Sequence, residues 1–84
     1  MAELIQRYES RVEDAAGTGY EVSAHGAARD DGTWEGWLEF RPASGVGPAR
    51  RTGRETSQPN REALAYWASG LEPIYLEGAF ARAR

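Results

Sequence analysis

The chain has 84 residues, 40% of them hydrophobic, and a formal net charge of −3 at pH 7, which is typical of one small domain with a modest core. It has no cysteine and one histidine, which excludes disulfides, thiolate chemistry and histidine metal clusters. No apolar run approaches the roughly 20 residues of a membrane span, and the start "MAELIQRYESR" is not typical of a secretory signal. We therefore expect a soluble cytoplasmic protein, with residues 1–84 forming a single domain that needs no metal or cofactor.

The charge is unevenly distributed along the chain. Residues 1–40 carry nine acids and three arginines (net −6), residues 41–61 carry five arginines and one glutamate (net +4), and residues 62–84 carry three acids and two arginines (net −1). All ten basic residues are arginine. Coding bias in a GC-rich bacterial genome accounts for this simply, although selection for bidentate contacts would have the same result.

The first segment, "AELIQRYESRVEDAA" at residues 2–16, has apolar residues at helical spacing. Gly17 follows where a helix C′ glycine is expected, so we predict a helix. The same residues also alternate loosely between apolar and charged types, so a strand pairing with the next segment remains a second interpretation.

The second and third segments alternate between apolar and polar residues, apart from Trp37, and predict a β-hairpin. They cover residues 19–27, "GYEVSAHGA", and residues 33–40, "TWEGWLEF". A two-residue loop would mix apolar and polar residues on both faces. A three-residue loop, 30–32, with Gly32 in the left-handed region, separates them. It pairs Arg29 with Thr33, Ala28 with Trp34, Gly26 with Gly36, Ala24 with Leu38, and Val22 with Phe40.

The remaining segments predict a loop, an edge strand and a divided helix. Residues 42–48 are a loop by composition, and residues 49–56 form a weak third strand. A helix begins near residues 57–60 and is bent or split at Gly70–Pro73, since Pro73 suits the first turn of a second segment. The predicted fold is α+β, in the order α-β-β-β-α, with a three-stranded antiparallel sheet covered by helices on one face.

Trp34 and Trp37 lie on opposite faces of the hairpin. Trp34 points inward with Leu38 and Phe40, so we expect it in the core. Trp37 points outward opposite His25, and two interpretations remain open. It covers the hairpin, stacked on His25 and on an arginine of the third strand, or it is the anchor of a binding surface.

No set of residues has catalytic spacing, so we expect a protein that is not an enzyme. Glu35 and Glu39 are about 13 Å apart along a strand, too far for a glycosidase pair. Ion pairs with Arg51 or Arg54 explain them better. His25 has Ser23 on its own face but no carboxylate arranged to orient it. No phosphate-binding loop, nucleophile elbow or metal-ligand spacing occurs.

Two family resemblances accompany these motifs. The predicted α-β-β-β-α order resembles the double-stranded-RNA-binding fold, but that family's lysine-rich motif corresponds here to "NREALAYWA", which has Arg61 and no lysine. The resemblance therefore implies a fold and not an activity. Residues 20–79 also resemble the HicB-type antitoxin domain, through "YEV", "DDGTWEGWLEF" and "REALAYW…YLEGA". That resemblance implies a module that binds a protein partner, and it assigns no functional residue.

These observations favour a small binding or oligomerisation module whose partner is another protein or a second copy. The candidate surface is the outer sheet face, formed by Trp37, His25, Glu35 and Glu39 and bordered by Arg50, Arg51 and Arg54. The exposed edge of the third strand would also allow dimerisation. The alternative is RNA binding through the arginines of residues 50–61, with Trp37 stacked on a base.

Overall fold

The computed structural model describes all 84 residues as an antiparallel sheet with two helices on one face. The elements follow in the order β1 (Glu3–Glu13), β2 (Gly19–Ala28), β3 (Trp34–Pro42), β4 (Arg50–Arg51), β5 (Thr56–Gln58), α1 (Arg61–Ser69) and α2 (Pro73–Arg82). The predicted α+β class and the covered face are confirmed. The sheet has five strands, however, and the chain begins with a strand.

The β2–β3 hairpin has the predicted register. Val22 lies opposite Phe40, Ala24 opposite Leu38, and Gly26 opposite Gly36. The loop closes with a hydrogen bond of 2.7 Å from Arg29 N to Thr33 O, and Gly32 has φ +88°. A positive φ is readily adopted only by glycine.

The predicted helix over residues 2–16 is wrong, because these residues form β1 beside β2. Pairing with β2 satisfies the backbone hydrogen-bonding groups along the edge of the hairpin. These hydrogen bonds join residues that are distant in sequence, so the local periodicity of residues 2–16 does not indicate them. Gly17 has the expected positive φ of 84°, but it lies in the β1–β2 turn. Asp14 Oδ1 accepts hydrogen bonds there from Ala16 N and Thr18 N.

The prediction of one continuous third strand over residues 49–56 is also wrong. The strand is divided into β4 and β5, which pair with different parts of β3. Thr52 N still donates to Leu38 O, and Glu55 N to Gly36 O. The chain therefore follows β3 on both sides of a break near Gly53, a residue with little preference for a strand.

The helices cover the inner face of the sheet as predicted, and the expected division at Gly70–Pro73 is present. Asn60 caps α1 by accepting a hydrogen bond of 2.8 Å from Ala63 N, and Pro73 opens α2. The buried core joins the two layers and contains Val12, Tyr20, Val22, Ala24, Leu38, Phe40, Ala68, Leu76 and Ala79. No helix is long and apolar enough to cross a membrane.

Trp34 is placed differently from the prediction. By strand alternation it is on the same side as Leu38 and Phe40, but it is only half-buried and lies outside the core cluster. Its cross-strand neighbours are Ala28 and Gln58. A small residue and a polar one leave the indole partly uncovered at this end of the sheet.

Candidate functional site on the outer face of the sheet

The outer face of the sheet, opposite the helices, carries four of the six candidate polar residues, His25, Glu35, Glu39 and Arg51. Alternation along the strands places them in rows that run across the sheet. The rows are Leu4–His25–Trp37, Arg7–Ser23–Glu39–Arg51, Arg11–Glu21–Arg41 and Ala27–Glu35–Ser57. Opposite charges are therefore neighbours in several directions.

Trp37 is the aromatic centre of this face, and its neighbours cover it to 5% exposure. The His25 ring stacks on it with centroids 6.5 Å apart and planes 17° from parallel. The Arg51 guanidinium carbon lies 4.6 Å from the indole centroid, and the indole Nε1 donates to Glu39 at 3.1 Å. Of the two interpretations, the geometry is that of a residue covering the hairpin, since little of the ring is free for a partner.

Glu39 stands close to His25, although the sequence indicated no carboxylate in a position to orient this histidine. The Glu39 Oε1 to His25 Nε2 distance is 3.5 Å, and Ser23 Oγ lies 2.9 Å from the same nitrogen. A serine–histidine–acid triad needs the serine and the acid on different ring nitrogens. Both groups here meet Nε2, so this arrangement is not a triad.

The His25 imidazole favours its neutral form. Burial lowers the pKa of His25 below its usual 6.5, and the positive charges of Arg41, Arg51 and Arg7 lower it further. Glu39 acts in the opposite direction without reversing the shift. Ser23 and His25 therefore form a largely neutral hydrogen-bonded pair at neutral pH.

Beside this pair lies a cleft of about 650 Å³ that crosses β1, β2 and β3. Its lining residues are Leu4, Arg7, Tyr8, Glu9, Arg11, Glu21, Val22, Ser23, His25 and Arg41. Arg11 pairs with Glu21 at 3.5 Å, but neither Arg7 nor Arg41 forms an ion pair. Two guanidinium groups are thus free to bind an acceptor in the cleft.

None of the three cleft arginines belonged to the surface predicted from sequence. Arg7 and Arg11 were missed because residues 2–16 were assigned to a helix, which does not join the outer face. Arg41 continues the alternation of Glu35, Trp37 and Glu39 on β3, so its position could have been inferred by extending the strand by one residue.

The other predicted site residues do not assemble around Trp37. Glu35 lies opposite Ala27 and Ser57 without an ion pair. Arg54 is exposed in the segment between β4 and β5. The expected ion pairs of Glu35 and Glu39 with Arg51 or Arg54 are absent, because Arg51 stacks on the indole and Glu39 meets Trp37 and His25.

The arginines of residues 41–61 form no continuous basic patch. Arg50 points to the inner face, where its guanidinium carbon lies 5.3 Å from the Tyr20 ring and 5.0 Å from the Phe80 ring. Arg51 points to the outer face, and Arg61 pairs with Glu3 at 2.7 Å. Consecutive strand residues alternate between faces, so adjacency in sequence did not become adjacency on the surface.

Comparison with protein-family models, with curated proteins and with solved structures returns no match. The structure also holds no group of three or more histidine or carboxylate side chains in a metal-binding arrangement. Function is therefore inferred from the chemistry of the outer face.

Proposed function

We propose that this protein is a non-catalytic binding module that takes an acidic segment of a partner protein into the outer-face cleft. The observation that carries the proposal is the pair of arginines, Arg7 and Arg41, that line the cleft without an ion pair. Arginine offers a planar set of donors that matches a carboxylate.

The composition of the cleft favours a peptide segment over a small molecule. Seven of the ten lining residues are polar or charged, whereas small-molecule sites are mostly apolar with few polar groups. An extended segment that lies across β1, β2 and β3 can place its acids against Arg7 and Arg41 in turn. The resemblance to HicB-type antitoxin domains is a further reason to expect a protein partner.

A binding role also agrees with the state of the Ser23–His25 pair. The Nε2 atom that would take a proton from a nucleophile is approached by both Ser23 and Glu39. No second acid lies on the other ring nitrogen to orient the imidazole. The pair therefore has the serine and histidine of a hydrolase but lacks the geometry that would activate the serine.

RNA binding is the weaker proposal. The arginines of residues 50–61 are divided between the two faces, so they offer no continuous track for a phosphate backbone. The indole of Trp37 is covered and presents little surface for stacking on a base.

A single substitution in the cleft tests the proposal. We expect Arg41→Gln to reduce the yield of the protein partner several-fold when the immobilised chain is exposed to lysate of its host. Arg54→Gln removes the same charge from an exposed residue outside the cleft and serves as the matched control. Both arginines are exposed and lack ion pairs, so neither change should alter stability by more than about 0.5 kcal/mol.

The capture is run with and without nuclease, and bound proteins are identified by mass spectrometry. A partner that survives nuclease, is retained by Arg54→Gln and is lost with Arg41→Gln supports the cleft. Equal capture by both variants contradicts it. Partners that disappear on nuclease treatment favour the RNA proposal instead.

A further inference from the structure

The two edges of the sheet differ in length and in cover. On one side β3 is followed by the short strands β4 and β5. There Arg84 exchanges backbone hydrogen bonds of 3.1 and 3.0 Å with Arg51 and covers part of the edge. On the other side β1 runs for eleven residues with no strand beyond it. Its outer backbone groups are available for pairing with another strand.

Residues 7–13, the C-terminal half of β1, are extended, with two extra residues relative to β2 between Arg7 and Arg11. Exposure alternates along residues 7–13, with the odd-numbered residues exposed and the even-numbered ones buried or half-buried. The exposed set also alternates in charge and consists of Arg7, Glu9, Arg11 and Glu13.

One antiparallel register pairs all four of these charges with opposite charges of a second copy. A two-fold axis through Ser10 sets residue i of one copy opposite residue 20 − i of the other. Arg7 then faces Glu13, and Glu9 faces Arg11, and each pair occurs twice. Moving the axis to Glu9 or Arg11 sets arginine against arginine and glutamate against glutamate, which is destabilising.

We infer that the partner of the β1 edge is a second copy of this chain, paired antiparallel about Ser10. Because opposed residues then share odd or even parity, both helix layers lie on the same side of the joined sheet. On that inner side, Tyr8 of one copy lies opposite Val12 of the other. The inference does not rest on the ligand proposed above, but the edge and the cleft share Arg7, Glu9 and Arg11. Pairing about Ser10 therefore engages Arg7 and leaves Arg41 as the unpaired arginine of the cleft.

The same geometry limits the assembly to two copies. A two-fold pairing uses the β1 edge of both copies, and the opposite edge is short and partly covered by Arg84. β1 also carries two more residues than β2 between the Arg7–Ser23 and Arg11–Glu21 pairs. Such an irregularity increases local twist, which opposes continued stacking of strands.

The oligomeric state of the purified chain tests the inference. In analytical ultracentrifugation at low salt, the wild-type mass should rise with concentration from 9.2 kDa towards twice that value. Arg11→Glu places a carboxylate opposite Glu9 in two symmetric pairs, so we expect the dimer dissociation constant to rise about tenfold or more. Combining it with Glu9→Arg restores the opposite charges and should restore dimerisation.

Glu21→Gln is the matched control. Arg11 also pairs with Glu21 within one copy, and this change removes that contact without altering the edge, so it should dimerise like the wild type. Circular dichroism checks that every variant folds, which is expected for such exposed positions. A wild-type chain that stays monomeric at all concentrations overturns the inference. A dimer insensitive to Arg11→Glu, or one not restored by the double substitution, overturns the pairing about Ser10.

Discussion

At the scale of single residues, Trp37 has the most specific surroundings on the outer face. It is held by a stacked imidazole, a guanidinium over the ring and a carboxylate on its nitrogen. All three neighbours are polar. This face therefore has a small aromatic centre surrounded by polar groups, whereas the opposite face has the apolar core under the helices. The indole holds His25, Arg51 and Glu39 in position next to the cleft. Its role is therefore structural, since it orders these neighbours and has little surface of its own for a ligand.

We expect Trp37→Ala to destabilise the domain by roughly 3 kcal/mol, because a large buried side chain leaves a cavity. Urea denaturation followed by circular dichroism measures the change in the free energy of unfolding. Tyr66→Ala is the control, since Tyr66 is 83% exposed and should change stability by less than about 0.5 kcal/mol. A Trp37→Ala protein as stable as the wild type would return Trp37 to the role of a free binding anchor.

At the scale of elements, α1 is positioned by two glycines that lie opposite each other in the hairpin. Gly26 on β2 pairs with Gly36 on β3, and the fully buried Leu64 of α1 fills the space above both. A Cβ at Gly36 would lie 2.6 Å from Leu64 Cδ1, and a Cβ at Gly26 would also overlap this side chain. The absence of two side chains therefore allows the helix to pack closely on the sheet.

Gly36→Ala should consequently cost roughly 1–3 kcal/mol through overpacking against Leu64. Gly53→Ala is the control, because nothing lies within 4 Å of its added Cβ and its φ is not positive. It should be neutral or slightly stabilising. Thermal unfolding of both variants measures the difference. An equally small effect at both positions would mean that α1 adjusts freely and is not seated on the glycine pair.

At the scale of the whole molecule, Glu55 ties α2 to the segment between β4 and β5. Tyr75 Oη donates to its carboxylate at 2.6 Å, and Arg82 donates to it as well. Burial alone would raise the pKa of Glu55, but the hydrogen bonds from Arg82 and Tyr75 and the charge of Arg82 hold it below its usual 4.5. The folded state therefore stabilises the ionised form.

The sign of the pH dependence follows from this shift. The contribution of Glu55 to stability is complete above about pH 4.5 and is lost as the pH falls through the lower pKa of the folded state. We expect Glu55→Gln to cost roughly 1–2 kcal/mol at neutral pH, discounted for the exposure of Arg82. It should also reduce the loss of stability on acidification.

Unfolding in urea at pH 7 and below pH 4 measures both effects. Glu77→Gln is the matched control, because Glu77 is an exposed glutamate on α2 without an ion pair. If Glu55→Gln and Glu77→Gln have the same pH dependence, then Glu55 does not hold the helix in the way described.

The sequence by itself determined the central hairpin and the two helices. Alternation of the large apolar residues along β2 and β3, with Trp37 as the exception and a single glycine suited to the loop, allows one register that keeps both faces consistent. Asn60 and Pro73 likewise mark the starts of α1 and α2 by local chemistry. These features depend on neighbours within a few residues, so they can be derived without knowing the rest of the fold.

Only the tertiary structure decided the state of residues 3–13, the surroundings of Trp37 and the membership of the cleft. Residues 3–13 fit two periodicities, and the free edge of β2 selected the strand. Trp37 is covered because Arg51 stacks on it instead of pairing with Glu39, a choice between contacts of similar energy. The cleft joins Arg7 to Arg41 from strands at either side of β2. Such contacts between distant residues arise from packing, which local pattern does not encode.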